Sequence, residues 1–128
     1  MKQECKEFLL KDLCARLPYG VKFLRESWNF EWDEELSVIE VLEDIDKDGY
    51  INNTKVHTVD DIKPYLFPMS SMTEEQKQEY KYITERWMYE SSYSIGDSID
   101  WLNARHFDYR GLIEKSLALD ATNLGVYE

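Results

Sequence analysis

The sequence has little of what most recognisable sites are built from. It has two cysteines and two histidines in 128 residues. Cys5 and Cys14 stand nine residues apart in a segment with helical spacing, which separates them by roughly 13 Å. An intramolecular disulfide needs Cα atoms within about 7 Å, so both are expected as free thiols, buried or half-buried, in a reducing cytoplasm. His57 and His106 fall in no CxxC, HxxxH or HExxH pattern, so no zinc site is legible. The chain has neither a glycine-rich phosphate loop nor a GxSxG nucleophile turn. No apolar run approaches the roughly 18 residues that span a bilayer. The first fourteen residues, MKQECKEFLLKDLC, have no apolar core, and no signal peptide is expected. Basic residues are outnumbered 15 to 26 by acidic ones, giving a net charge of −11. A surface this acidic repels phosphate backbones and anionic lipid, which disfavours direct nucleic-acid or membrane-surface binding.

What is present is enough for one folded domain over residues 1–128. The chain is 43% hydrophobic and 14% aromatic, which supplies a core and argues against disorder. No internal repeat or low-complexity tract interrupts it. Cys5, Phe8, Leu9 and Leu13 recur at helical period over residues 3–17, and Pro18 and Gly20 end that segment. Trp28, Phe30 and Trp32 alternate with polar residues, as a strand does. The run 36–45, LSVIEVLEDI, fits a strand or a helix face by pattern alone. The following run, YINNTKVHTV, reads as a strand. Between them, Asp46-Lys47-Asp48-Gly49 has turn composition, so the two runs are expected to pair as a hairpin. Pro64 and Pro68 bracket an extended or turning YLF.

Thr73 with Gln76 forms a capping box that opens a helix carrying Tyr80, Ile83 and Trp87. A polar connection, ESSYSIGDS, leads to a helix starting at Asp97 or Ser98, with Ile99, Leu102 and His106 on one side. Asp108 is placed to cap a short last helix holding Leu112, Ile113 and Leu117. The order predicts an α+β fold: a small antiparallel sheet of about three strands, flanked by an N-terminal helix and C-terminal helices.

Two stretches invite chemistry. DIDKDGYINNTK, residues 44–55, resembles a calcium loop, with Asp44, Asp46, Asp48 and Asn52 at ligand positions 1, 3, 5 and 9 and Gly49 at 6. Position 12, where a bidentate glutamate belongs, is Lys55. The flanks place Glu40 and Glu43 where an entering helix needs apolar residues, and no second loop is found. The turn explains the same letters, so no metal or other cofactor is expected. The second stretch is HFDYRG, residues 106–111. His106, Asp108 and Arg110 could form the acid–base site of a small hydrolase. The competing reading is a structural corner, in which Asp108 caps, Phe107 and Tyr109 pack, and Arg110 pairs with a carboxylate. The tryptophans read as core or interface anchors.

KDLCARLPYGVKF (11–23), IKPYLFPMSSMTEEQK (62–77) and WLNARHFDYRGLIEKSLALDA (101–121), with the tail after them, resemble a family of small gut-bacterial proteins often encoded in prophage or other mobile regions. The resemblance covers about half of the chain and implies no activity, cofactor or catalytic residue. The middle of the chain, roughly 24–61, lies outside it. The expectation is a non-enzymatic interaction protein of a phage or mobile element, one form of which is an acidic inhibitor of a basic host protein. The partner would be a protein with a basic surface, or a second copy through self-association.

Overall fold

A computed structural model describes residues 2–29, 34–54, 57–89 and 95–128. Helix α1 (Gln3–Arg16) runs into a single 3-10 turn, Leu17–Tyr19. Pro18 lies in that turn, and Gly20 follows at φ 68°, the left-handed conformation that ends a helix without Cβ strain. The chain then forms an antiparallel hairpin of β1 (Lys22–Asn29) and β2 (Glu34–Val41), in register from Lys22↔Val41 to Asn29↔Glu34. Phe30 and Trp32, and the Trp28 and Trp87 side chains, lie outside what is described.

Strand β3 (Ile62–Pro68) is the hub of the sheet. Ile62–Pro64 pairs antiparallel with Arg25–Phe23. Beyond Pro64 the partners change: Tyr65 and Leu66 pair parallel with β5 (Leu119–Asp120), and Phe67 and Pro68 pair parallel with β4 (Phe107–Asp108). The β1 ladder thus stops at a residue with no N–H to donate. Helices α2 (Glu74–Tyr89) and α3 (Ile95–Ala104) lie between β3 and β4 in the chain. The architecture is α+β, as expected. The sheet has five strands in the order β2-β1-β3-β4, with β5 on β3, rather than about three in antiparallel array.

Other expectations need correction. Residues 36–41 do form a strand, but its partner is β1. The turn at Asp46–Gly49 is present, with Gly49 N donating to Asp46 O at 3.0 Å. Among the described residues the run after it makes only the isolated bridges Ile45↔Ile51 and Tyr50↔Thr58. Asn52 and Asn53 adopt φ 49° and 61°, which breaks an extended strand. Helix α3 starts at Ile95, before Asp97 and Ser98. No helix follows Asp108; residues 112–116 form turns, with Ser116 at φ 60°. The capping box of α2 is as read: Thr73 N donates to Gln76 Oε1 at 2.9 Å, and Gln76 N to Thr73 Oγ1 at 3.1 Å.

The larger core packs Leu9 and Leu13 of α1 against Val21, Phe23, Ile62 and Leu66 of the sheet and Leu112 of the C-terminal segment. A second cluster gathers Met72, Trp101, Leu102 and Phe107. There the Trp101 and Phe107 rings stack at 5.9 Å and 6°, and Trp101 Nε1 donates to Glu79 of α2 at 3.0 Å. Burying such rings contributes about 1.5–3 kcal/mol each. Cys5 is half-buried and Cys14 exposed, both as free thiols. Among the described residues no helix is long and apolar enough to cross a membrane.

Candidate functional site

The 106–111 segment joins α3 to the C-terminal turns across the seam between the two core clusters. His106 follows α3 at φ 63°. Its N–H donates to Asn103 O, and its carbonyl accepts from Phe67 N at 2.8 Å, so the backbone of this residue docks α3 onto β3. Its ring stacks on Tyr127 with centroids 3.9 Å apart and planes 11° apart. Burial pushes the His106 pKa down to about 4, with the nearby positive charges of Arg16 and Lys22 acting the same way. The imidazole is therefore neutral at physiological pH. Its Nδ1 is buried and has no hydrogen-bond partner among the described residues. Tyr127 is fixed from its other end. Its hydroxyl accepts from Lys22 N at 2.9 Å and donates to Tyr65 O at 2.7 Å. Burial holds its pKa up at about 12.

Asp108 is buried and spends both oxygens on backbone. Oδ1 accepts from Leu112 N and Oδ2 from Ile113 N, each at 2.9 Å. This is the cap chemistry read from the sequence, applied to a turn rather than a helix. Arg110 is the charge partner of a carboxylate, as expected, and that carboxylate is Asp12 of α1: Nε donates to Oδ1 at 3.1 Å. The cleft beside Asp108, about 380 Å³, is lined by Pro68, Met69, Ser70, Asp108, Tyr109, Gly111, Ile113 and Glu114. Neither His106 nor Arg110 lines it. The three side chains that adjoin in sequence thus face three different partners: Tyr127, the 112–113 amides and Asp12.

The centre that holds this region together involves residues on α1. Asp12 and Arg16 are both 0% exposed, and Arg16 Nε donates to Asp12 Oδ2 at 2.7 Å. Arg16 Nη2 donates to Phe107 O at 2.7 Å, while Nη1 is without a partner among the described residues. Arg16 and Arg110 lie over the Tyr109 ring, 5.3 and 5.0 Å from its centroid, and the Tyr109 hydroxyl donates to Asn103 Oδ1 at 3.0 Å. One carboxylate therefore serves two guanidinium groups. A signal for this existed: residues 9, 12, 13 and 16 share one helical stripe, which buries Asp12 and Arg16 beside Leu9 and Leu13.

The calcium-like loop is a hydrogen-bonded turn. Asp46 Oδ1 accepts from Asp48 N and Tyr50 N, both at 2.9 Å. Asn52 Oδ1 accepts from Glu43 N and Asp44 N, and its Nδ2 donates to Val41 O at 2.8 Å. Two of the four candidate ligands, Asp46 and Asn52, are thus engaged with backbone, and the segment entering the loop is strand β2, not a helix. Asp44 and Asp48 complete the set. Among the described residues no group of three or more His, Cys, Asp or Glu side chains is placed to hold a metal ion.

The remaining concentration of polar character lies on β2 and the loop after it. From Glu34 to Asp48 there are seven acidic residues and one lysine, so this stretch carries −6 of the chain's net −11. Val38, Ile39 and Val41 on the same strand are 38%, 49% and 40% exposed. Arg25 of β1 meets Glu40 at 2.7 Å and His57 Nε2 at 2.6 Å, so Glu40 is neutralised from inside the sheet. Set against protein-family models, curated proteins and solved structures, the chain matches none of them.

Proposed function

We propose that the protein is a non-enzymatic interaction protein that engages a basic protein surface through β2 and the acidic loop after it. The observation that carries this reading is the coincidence of exposed Val38, Ile39 and Val41 with a 34–48 stretch that has seven acidic residues and one lysine, of which only Glu40 is paired with Arg25 in the contacts above. Apolar contacts supply affinity, and the acidic rim steers a basic partner and rejects acidic ones. An acidic inhibitor of a basic host protein, carried by a phage or other mobile element, fits this surface. The alternative of a small hydrolase draws less support from the geometry. A general base needs a lone pair within reach of substrate, whereas both Asp108 oxygens hold backbone amides and His106 Nδ1 is buried.

The test is capture from lysate of the native host by the immobilised protein, read by mass spectrometry against a Glu43→Lys/Asp48→Lys variant. Both side chains are exposed, so the variant should melt within about 1 °C of wild type. The expected result is a basic protein retained by the wild type and lost by the variant. Equal capture by the two proteins would refute the proposed surface.

A further inference from the structure

β2 is the last strand in the order β2-β1-β3-β4, and among the described residues no strand pairs with its outer side. Leu42 N donates to Val21 O at 2.8 Å, continuing the register that pairs Lys22 with Val41. Antiparallel alternation then turns the backbone groups of Glu40 and Val38 toward β1 and those of Val41, Ile39 and Ser37 away from it. The Val41 carbonyl accepts from Asn52 Nδ2, which closes that end of the edge. The outward stretch is centred on Ile39, which is more exposed than Val38 or Val41. A row of outward amides and carbonyls beside β-branched side chains is a template for strand addition.

We infer that β2 accepts an extended, basic segment of a partner protein as an added strand. This rests on the reading of the protein as an acidic interaction protein and specifies how the contact is made. Charge selects the occupant. The charged residues of β2 are Glu34, Glu35 and Glu40, and none is basic. Pairing with a second copy through this edge brings glutamates opposite or diagonal to glutamates, which is destabilising where Arg25 does not offset them, as it does at Glu40. A segment alternating lysine or arginine with apolar residues reverses that sign. Its apolar side chains lie along Ile39 and Val41 on one face of the sheet, or Val38 on the other, because neighbouring strands share side-chain direction. The same acids that guard the edge against self-association therefore leave it open to a basic strand.

The experiment uses the whole protein and a short peptide alternating lysine and valine. Its comparison is the same peptide N-methylated at alternate residues, which keeps charge and side chains but cannot complete the ladder. Binding is measured by calorimetry, and amide hydrogen exchange is followed residue by residue. The expected result is that the unmodified peptide binds and slows exchange at the Ile39 amide at least about tenfold. The N-methylated peptide is expected to bind at least about tenfold more weakly, the equivalent of one or two lost hydrogen bonds. Equal affinity for both peptides, or protection elsewhere without protection at Ile39, overturns strand addition and leaves acidic-surface binding standing. Failure of both to bind at up to about 1 mM overturns the inference and the acidic-surface reading together.

Discussion

Replacing Asp12 by asparagine should be among the most damaging single changes in this protein. The side chain is 0% exposed and accepts charge-assisted bonds from Arg16 at 2.7 Å and Arg110 at 3.1 Å. Asparagine keeps the volume, so no cavity term enters. What is lost is the only anion facing Arg16 in these contacts, and Arg16 is also 0% exposed. Leaving a buried cation uncompensated costs about 3–5 kcal/mol. That is a large share of the roughly 5–15 kcal/mol by which domains are stable, and for this length corresponds to a fall in Tm of about 10–20 °C. Arg110→Ala removes the more exposed partner and leaves the Asp12–Arg16 pair intact, so it should cost only about 1–2 kcal/mol. Arg16→Met in the Asp12→Asn background removes the stranded charge. It also frees the Phe107 carbonyl, at about 1–3 kcal/mol, so the double variant should be no less stable than Asp12→Asn alone. Urea unfolding with an unchanged m-value is the appropriate assay. An Asp12→Asn variant within about 1 kcal/mol of wild type, or additive losses in the double variant, would refute the argument.

Phe107→Ala should cost about 3–5 kcal/mol, because the ring is 2% exposed and stacked on Trp101. Asp108→Ala should cost about 2 kcal/mol for the two amides it strands; equilibrium unfolding of both variants should return that order. His106 should titrate near pH 4 by NMR rather than at its unfolded value of 6.5. Between those values the unfolded chain binds the extra proton, so the contribution of His106 to stability is complete above pH 6.5 and is lost as pH falls toward 4. His106→Phe should flatten that part of the stability–pH curve, and an unchanged slope would count against it. Millimolar calcium should leave Tm unmoved, whereas a site with Kd near 10 μM would add about 2.7 kcal/mol at 1 mM; a calcium-dependent rise abolished by Asp44→Ala would overturn the turn reading.

The elements visible in the sequence were those whose cause is local. The box of Thr73 and Gln76 needs only residues three apart, and it is present. Helix α1 is marked by its own apolar stripe and by Pro18 and Gly20. Residues 36–41 fit strand or helix by pattern, and the turn composition of Asp46–Gly49 after them decided for strand. What failed was the choice of partner. The turn at Asp46–Gly49 made the 50–59 run look like the second arm of a hairpin, yet the asparagines after Ile51 prefer local bonds to extension: the Asn52 amide bridges Glu43, Asp44 and Val41. β2 folds back instead on β1, which precedes it. The parallel pairs β3–β4 and β3–β5 bring together segments roughly 40 and 54 residues apart, joined by contacts that no short-range pattern encodes. The final helix failed for a related reason. Asp108 does hold two downstream amides, but cap chemistry satisfies a turn as readily as a helix, and the left-handed Gly111 and Ser116 close the chain into turns.

The candidate site divides in the same way. Residue types suggested that Arg110 meets a carboxylate, but with 26 acidic residues to choose from the sequence could not say which. Asp12 lies 98 positions away and is selected only once α1 packs against the C-terminal segment. His106 and Asp108 are chemically capable groups that the fold assigns to stacking and capping: the His106 ring lies against Tyr127, and both Asp108 oxygens hold backbone amides. The acids of β2 run the other way. They resemble an ordinary solvated face in sequence, and only the sheet order reveals that they line a strand edge. Burial turns potentially catalytic groups into supports, and an unfinished sheet turns ordinary glutamates into determinants of partner choice. Partner choice therefore follows from the open edge of the sheet and the excess of acid along it, not from the place where reactive residue types are densest.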